Sequence, residues 1–234
     1  NVDNPRYNWN ETTGDLWFYA REEDGINRFD GTNMNYLIFP KSKNQNPNNS
    51  YGVTDISKEN DGKVWIATYA ALFSYDGKKV KIFDQNALKL NNNELLHIRS
   101  VLADSKGRIW IGNNGIGVIL KNGDFITHFS KDQGKLIPMK EFEANTQSLQ
   151  FAKNTGLQSV FAIEEDSEGN IWFGDRDSGA WKYDGKTITN YTISGKLSSP
   201  MIWTIYKDNK NNLHFGMAEG GVYKFNGKSF DKQF

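Results

Sequence analysis

The sequence predicts an all-β fold, specifically a five-bladed β-propeller of four-stranded antiparallel blades. Three observations lead to this prediction: a tryptophan anchor that recurs at blade-like intervals, an Asx-Gly pair after each anchor, and short runs rich in β-branched and aromatic residues between them. The chain has 234 residues, which suits one large all-β domain. We therefore expect a single propeller domain over residues 1–234, with blades at about 5–39, 53–84, 98–130, 160–192 and 202–234.

The anchor is a glycine followed by two residues and a tryptophan. Successive anchors lie 42 to 62 residues apart, and propeller blades repeat at about 40–50 residues. The fifth repeat has His214 in place of tryptophan, and we expect this histidine to fill the same packing position. The four tryptophan anchors are Gly14–Trp17, Gly62–Trp65, Gly107–Trp110 and Gly169–Trp172.

An Asx-Gly pair follows each anchor, with its glycine 12 to 14 residues after the anchor aromatic. A two-residue type I′ turn needs positive φ at both central positions, which Asn, Asp and Gly tolerate best. The pairs therefore predict a tight hairpin between the third and fourth strands of every blade. They begin at Asp30, Asp76, Asn122, Asp184 and Asn226.

Strand-like runs fill the repeats between these landmarks. The second repeat predicts strands at 53–59, 63–68, 72–75 and 80–83, and the fourth at 160–165, 170–174, 180–183 and 188–191. Several runs are apolar on both faces, as in Ile109-Trp110-Ile111. Such a sheet packs between two like neighbours, and radial repetition satisfies every copy. The one predicted helix lies within 139–153, inside the long connection 130–159.

The repeats resemble the two-component-regulator propeller family. Its pattern is an aliphatic strand, Asp-x-x-Gly-x-aliphatic-Trp-aliphatic-Gly-Thr, a Gly-rich turn and a later aromatic-Asp-Gly; the clearest copies are Val101–Gly112 and Ile163–Gly174. The resemblance extends over essentially the whole chain. It implies a periplasmic or extracellular module of the kind found in the sensor regions of bacterial hybrid histidine kinases. Rings of this family usually have about seven blades, whereas this chain has five repeats; its first residues contain no signal sequence.

Composition excludes several other classes of protein. Lys+Arg and Asp+Glu number 28 each, so we expect no nucleic-acid partner. No apolar run is long enough to span a membrane, so we expect no direct membrane insertion. There is no cysteine, and the three histidines fall at different repeat positions. We therefore expect no metal, no cofactor and no catalytic residue, since no nucleophile, phosphate-loop or metal-loop motif is present either.

The loops that lead from an outermost strand to the next innermost strand are the longest and least alike, which favours a binding face there. Aligned on their anchors, the repeats place Arg6, Thr54, Arg99, Phe161 and Trp203 at one early position of the innermost strand. Aromatic and arginine side chains at a central mouth can stack on a sugar ring or clamp a carboxylate. The alternative is that the aromatics pack between blades and that the loop charges are a solvated rim. The candidate ligand-binding residues are Tyr51, His97, Arg99, Phe161, Trp203, Asp175 and Arg176.

Three functions remain open at this point. The leading one is a non-catalytic extracytoplasmic module that binds an unidentified glycan, peptide or protein, with glycan sensing linked to two-component signalling as its specific form. The second is a polysaccharide-active glycoside hydrolase or lyase, which would need paired carboxylates; Asp3, Asp55 and Glu94 fall near the mouth, although Asp55 aligns with positions inside the strand. The third is a purely structural domain.

Overall fold

The computed structural model describes residues 8–10, 15–19, 24–43, 50–91, 94–132, 135–138, 157–193 and 199–234. Within these ranges all helices and strands that the structure assigns are β-strands; no helix occurs among them. The strands form five antiparallel sheets. The all-β prediction is therefore confirmed. The chain divides into two compact units, residues 1–98 and 99–234.

The first unit contains two four-stranded sheets, each ordered as in the sequence. The first sheet comprises β1 (Asn8–Asn10), β2 (Asp15–Tyr19), β3 (Gly25–Phe29) and β4 (Met34–Ile38). The second comprises β5 (Val53–Lys58), β6 (Val64–Thr68), β7 (Leu72–Tyr75) and β8 (Val80–Phe83). Their shared core is aromatic: the rings of Phe39 and Phe73 stack at 4.2 Å, and Trp17 of the first sheet meets Tyr75 of the second edge-on at 6.1 Å.

The second unit contains the other three sheets. The third comprises β9 (Ile98–Ala103), β10 (Ile109–Asn113), β11 (Gly117–Asn122), β12 (Phe125–Asp132) and β13 (Lys135–Pro138). The fourth comprises β14 (Val160–Glu165), β15 (Ile171–Asp175), β16 (Gly179–Tyr183) and β17 (Ile188–Tyr191). The fifth comprises β18 (Ile202–Lys207), β19 (Leu213–Met217), β20 (Val222–Phe225) and β21 (Phe230–Lys232).

The third sheet departs from the prediction of four strands per blade. Its fifth strand, β13, pairs antiparallel with β12 at the outer edge, where Phe129 lies opposite Pro138. It comes from the start of the long connection 130–159, whose first residues continue the β12 hairpin instead of leaving the sheet. The predicted helix within 139–153 lies outside the described residues.

The hairpin prediction is right about position and wrong about turn type. Four of the Asx-Gly pairs open four-residue loops, as where Tyr75 and Val80 pair across 76–79. The Asp76 carboxylate accepts hydrogen bonds from the N–H groups of Lys78 and Lys79 at 2.9 and 2.7 Å, and only Gly77 has positive φ. The Asp76 side chain thus satisfies the main-chain N–H groups of the turn, and Asp76 itself does not need positive φ. The pair at Asn122 differs, because Asn122 already pairs with Phe125.

The anchor tryptophans connect neighbouring sheets within each unit. Trp110 packs edge-on against Phe173 of the fourth sheet at 5.7 Å, and Trp172 packs in the same way against Phe215 of the fifth at 5.3 Å. Both tryptophans are only 1% exposed. Sheet-on-sheet packing through a repeated indole is what a blade repeat requires.

In the second to fifth sheets a carboxylate six residues before the anchor holds the anchor side chain. Asp104 accepts the indole N–H of Trp110 at 2.8 Å, and Asp166 accepts that of Trp172 at 2.9 Å. In the fifth sheet Asp208 lies 3.0 Å from the imidazole Nε2 of His214. The histidine therefore keeps the hydrogen bond of the anchor position, although its side chain remains 27% exposed.

Candidate functional site

The candidate site of the second unit lies on the innermost strands of its three sheets. β9, β14 and β18 are each the edge strand of their sheet, and β14 contacts β18. Close approach is possible because the anchor motif ends in glycine. A Cβ on Gly174 would lie 2.7 Å from Cγ2 of Ile202, and one on Gly112 would lie 2.8 Å from the Val160 carbonyl oxygen. Each glycine thus lets the innermost strand of the next sheet pack against it.

Three innermost strands carry a β-bulge at the same place. The register with the second strand shifts between Val53 and Asp55 in β5, between Val160 and Ala162 in β14, and between Ile202 and Thr204 in β18. A bulge leaves one residue outside the ladder and redirects its side chain. The residues left out are Thr54, Phe161 and Trp203. These are aligned positions that the sequence singled out, although nothing in the sequence indicated a bulge.

In the second unit the bulge residues and Arg99 form a continuous row, here called the Arg99 row. The Arg99 guanidinium carbon lies 4.6 Å from the ring centroid of Phe161. The centroids of Phe161 and Trp203 are 5.7 Å apart, with the rings inclined at 49°. Phe161 is only 8% exposed, whereas Trp203 is 56% exposed. The row therefore begins at a cation, passes through a buried ring and ends at an indole open to solvent.

Arg176 lies beside this row on the loop after β15. Its main-chain N–H donates to the carbonyl oxygen of Ser159, two residues before Phe161, at 2.9 Å. Its guanidinium donates to both carboxylate oxygens of Asp177 at 2.9 Å, and this pairing raises the arginine pKa above its ordinary value. A further contact reaches Asn114 at 3.4 Å. Arg176 is thus an exposed polar group held at the rim.

Asp175 has a structural position. It is 1% exposed, and its carboxylate accepts hydrogen bonds from the N–H groups of Ser159, Asp177 and Ser178 and from the Ser178 hydroxyl. Such a network closes the loop between β15 and β16 and fixes the segment that precedes Phe161. Its contribution to a site is therefore to position its neighbours.

The two candidate residues of the first unit, Tyr51 and His97, also differ in how far they are buried. Tyr51 is 3% exposed within the aromatic core, and its hydroxyl accepts the N–H of Ser42 at 2.9 Å. Burial raises the pKa of Tyr51, which keeps the phenol neutral. His97 is half-buried, with its ring 5.1 Å from that of Tyr69. Of these two described residues, His97 is the more exposed.

The carboxylates proposed for hydrolysis make local contacts. Asp55 accepts the N–H of Ile56 at 2.8 Å, and Glu94 accepts that of Asn91 at 2.8 Å. Asp3 and Arg6 lie outside the described residues. Among the residues that the structure places, no cluster of three or more His, Asp or Glu side chains is arranged to hold a metal ion. The same residues include no helix long and apolar enough to cross a membrane.

Residues 95–115 and 156–177 match the model of the two component regulator propeller family. These two segments of the chain resemble two-component regulator propeller repeats. The two matched repeats include Trp110 and Trp172 with their carboxylates, and also Arg99, Phe161 and Arg176 of the candidate site. The resemblance proposed from the sequence is thereby confirmed. A search of proteins of curated function found none that matches this chain in sequence.

Several solved structures share the fold of the propeller repeats. Virginiamycin B lyase from Staphylococcus aureus, in a catalytically inactive form with quinupristin, superposes with a TM-score of 0.67 at 12% identity, covering 97% of this chain and 68% of the lyase. A protein of unknown function from Bacteroides thetaiotaomicron gives 0.57 at 10%, covering 92% and 57%. YCF48 bound to D1 peptide gives 0.51 at 9%, covering 87% and 57%. Identities this low establish a common fold alone.

Proposed function

We propose that this chain is a non-catalytic, extracytoplasmic binding module whose five sheets are the blades of one propeller over residues 1–234. Its ligand is a glycan, a peptide or a protein segment that docks on the Arg99 row, and binding is read out by a two-component signalling partner. The observation that carries the proposal is the row itself, which joins a guanidinium, a buried ring and an open indole on adjacent innermost strands.

The exposure of Trp203 supports a ligand at this place. Single exposed apolar side chains are common and need no explanation. Trp203 differs in two respects. It extends a row whose other ring, Phe161, is already packed, and it lies on the β-bulge of a strand that is paired in a sheet. Stacking a sugar or aromatic ring on it would remove indole surface from water without reorganising the protein, at about 25 cal/mol per Å² of apolar area.

The cation at the other end of the row favours a ligand with an acceptor group. A guanidinium offers a planar set of donors that suits a carboxylate. Phe161 lies against one face of the Arg99 guanidinium and so limits its orientation. A ring placed on Trp203 together with an acidic or carbonyl group directed at Arg99 uses both ends of the row.

The location and the signalling link are supported by the family match, since two segments resemble repeats of a regulator propeller. The single ring is supported by the like strand order of the sheets and by indoles that connect consecutive sheets in each unit. Binding rather than turnover is supported by Asp55 and Glu94, whose carboxylates accept local main-chain N–H groups.

A glycan and peptide array followed by calorimetry on each hit tests the proposal. Replacing Trp203 with Ala is expected to weaken binding about tenfold or more, because one stacking contact is worth about 1–3 kcal/mol. Tyr206→Ala is the matched control, since Tyr206 is a 62% exposed aromatic on the same strand outside the row. Binding that survives both Trp203→Ala and Arg99→Ala contradicts the site.

The same samples test the hydrolase or lyase alternative. Product release from a polysaccharide panel that disappears in Asp55→Asn, while Trp203→Ala retains it, would replace the binding proposal with an enzymatic one.

A further inference from the structure

Leu157 has a backbone conformation that leucine rarely adopts. Its φ is +57°, in the left-handed region where Gly, Asn and Asp are the usual residues. The side chain is nevertheless 2% exposed, in the core cluster that contains Trp110 and Phe173. A residue in such a conformation persists only where its surroundings determine it. Leu157 lies near the end of the long connection, four residues before Phe161 of the Arg99 row. We call residues 157–159 the Leu157 turn.

The third sheet holds this turn from one side. The main-chain N–H of Gly115 donates to the carbonyl oxygen of Gln158 at 2.7 Å. Gly117 lies directly against the Leu157 carbonyl group, because a Cβ at this glycine would be 2.1 Å from the Leu157 oxygen. Gly117 also has a φ of +87°, which residues with a Cβ rarely adopt. Any other residue at position 117 would therefore displace the turn.

The fourth sheet holds the turn from the other side. The main-chain N–H of Ser159 donates to the Asp175 carboxylate at 3.0 Å, and its carbonyl oxygen accepts the N–H of Arg176 at 2.9 Å. Asn114, on the loop after β10, forms an antiparallel bridge with Ser159. The chain thus enters β14 from a point that the loops of two sheets fix together.

The second and fifth sheets share only part of this arrangement. The N–H of Ala218 donates to the carbonyl oxygen of Met201 at 3.0 Å, and that of Tyr69 donates to the carbonyl oxygen of Gly52 at 3.2 Å. Both bonds correspond to the one between Arg176 and Ser159. The position of Leu157 is different, because none of the aligned residues has positive φ. These aligned residues are Ser50, Leu95 and Ser199. The left-handed turn is therefore not a requirement of the blade repeat.

We propose that Leu157 and Gly117 are positioning residues of the Arg99 row. The left-handed turn sets where β14 begins and so holds the Phe161 ring 4.6 Å from the Arg99 guanidinium carbon. With φ in the ordinary negative range at Leu157, the chain would enter β14 in another direction and Ser159 would leave its partners. Phe161 would then move away from Arg99. This inference rests on the proposed function, because it assigns the turn to the same site.

The Nε–H signal of Arg99 in NMR spectra of the free protein measures this contact. Arg99 Nε is buried, which slows exchange of its hydrogen with water, and the ring current of Phe161 shifts the signal. Phe161→Leu gives the value without the ring. A signal that lies away from this reference therefore reports that Phe161 is in place.

Two substitutions of Leu157 separate backbone conformation from packing. Leu157→Ile keeps the apolar volume but is β-branched and disfavours positive φ, so the Arg99 signal should move most of the way to the reference. Leu157→Asn tolerates the left-handed conformation but loses apolar packing. Its signal should stay near the parent value, although the protein should melt at a lower temperature. A residue that serves packing alone gives the reverse order.

Gly117→Ala tests the other partner of the turn. The added methyl group meets the Leu157 carbonyl oxygen, so the Arg99 signal should move as it does in Leu157→Ile. Gly185→Ala is the matched control: Gly185 has a φ of +97°, and a Cβ there meets nothing within 4 Å. It introduces the same backbone strain and should leave the signal unchanged. Thermal melting verifies that each variant is folded.

The proposal is overturned if Leu157→Ile leaves the Arg99 signal at the parent value, or if Leu157→Asn moves it further than Leu157→Ile does. These measurements need no ligand, so they are independent of the binding proposal. A glycan and peptide array without a hit, combined with the expected signals, would remove the binding function and leave the positioning role. A hit that loses affinity in Arg99→Ala should also lose affinity in Leu157→Ile and keep it in Leu157→Asn.

Discussion

The fourth and fifth sheets have different side chains at the anchor position, tryptophan in one and histidine in the other. In the fourth, Trp172 is 1% exposed and packs against the next sheet, and Asp166 holds its indole N–H. In the fifth, His214 makes the equivalent bond to Asp208 but remains half-buried. The hydrogen-bond framework of the repeat is therefore independent of the packing that usually accompanies it. Comparing the two anchors separates the contribution of the carboxylate from that of the indole.

The largest expected effect comes from removing the packed anchor. Trp172→Ala leaves a cavity between two sheets and is expected to lower the free energy of unfolding by about 3–5 kcal/mol. His214→Ala should cost about 1 kcal/mol or less, because this side chain is partly solvated. Urea denaturation followed by circular dichroism measures both. Equal losses would mean that the fifth anchor is as closely packed as the fourth.

The next effect concerns the carboxylate. Asp104 is 4% exposed and accepts hydrogen bonds from Trp110, from the Arg108 guanidinium and from the N–H of Lys106. Asp104→Ala leaves these donors without their acceptor and should cost about 2–4 kcal/mol. Asp208→Ala, at the solvated anchor, is the comparison variant and should cost clearly less. If Asp208→Ala lowers the free energy of unfolding more than Asp104→Ala does, the hydrogen-bond framework contributes more to stability than the packing of the anchor.

The smallest effect is on acid stability. Burial raises the pKa of Asp166, but hydrogen bonds from Asn170 and Trp172 outweigh it and hold that pKa below the ordinary 3.8. Bonds from Asn212 and His214 also lower the pKa of Asp208. A lowered folded-state pKa contributes stability that is present above pH 3.8 and is lost as pH falls through the folded value. Urea midpoints between pH 5 and 2 should therefore decline less steeply in Asp166→Asn and in Asp208→Asn, and unchanged slopes in both would contradict these pKa shifts. Asp124→Asn, at an exposed loop carboxylate, is the control.

Repetition made most of the fold predictable from the sequence. Strands of the second and fourth repeats were placed within one residue, because turn glycines and the tryptophan repeat fix their ends. The turn type was missed, since a carboxylate that caps its own loop and a type I′ turn favour the same Asx-Gly pair. The extra strand β13 was missed because its residues carry no repeat signal.

The structure brings together only some of the candidate site residues that the sequence selected. Aligning the repeats selected Arg99, Phe161 and Trp203, which the structure brings together. It could not distinguish them from Tyr51 and Asp175, because burial depends on which neighbours fold around a residue. A polar side chain that closes a loop and one that faces a ligand have the same appearance in a single sequence.

The bulges give the innermost strands a residue that the ladder does not use. Exchange of Thr54, Phe161 or Trp203 removes no residue from the ladder. At the exposed Trp203, selection can therefore change the side chain while the sheet stays intact. A gene built by duplicating one blade would thus inherit an adjustable contact with each copy that keeps the bulge. New recognition would then arise by changing single codons at these positions, with the scaffold left as it was.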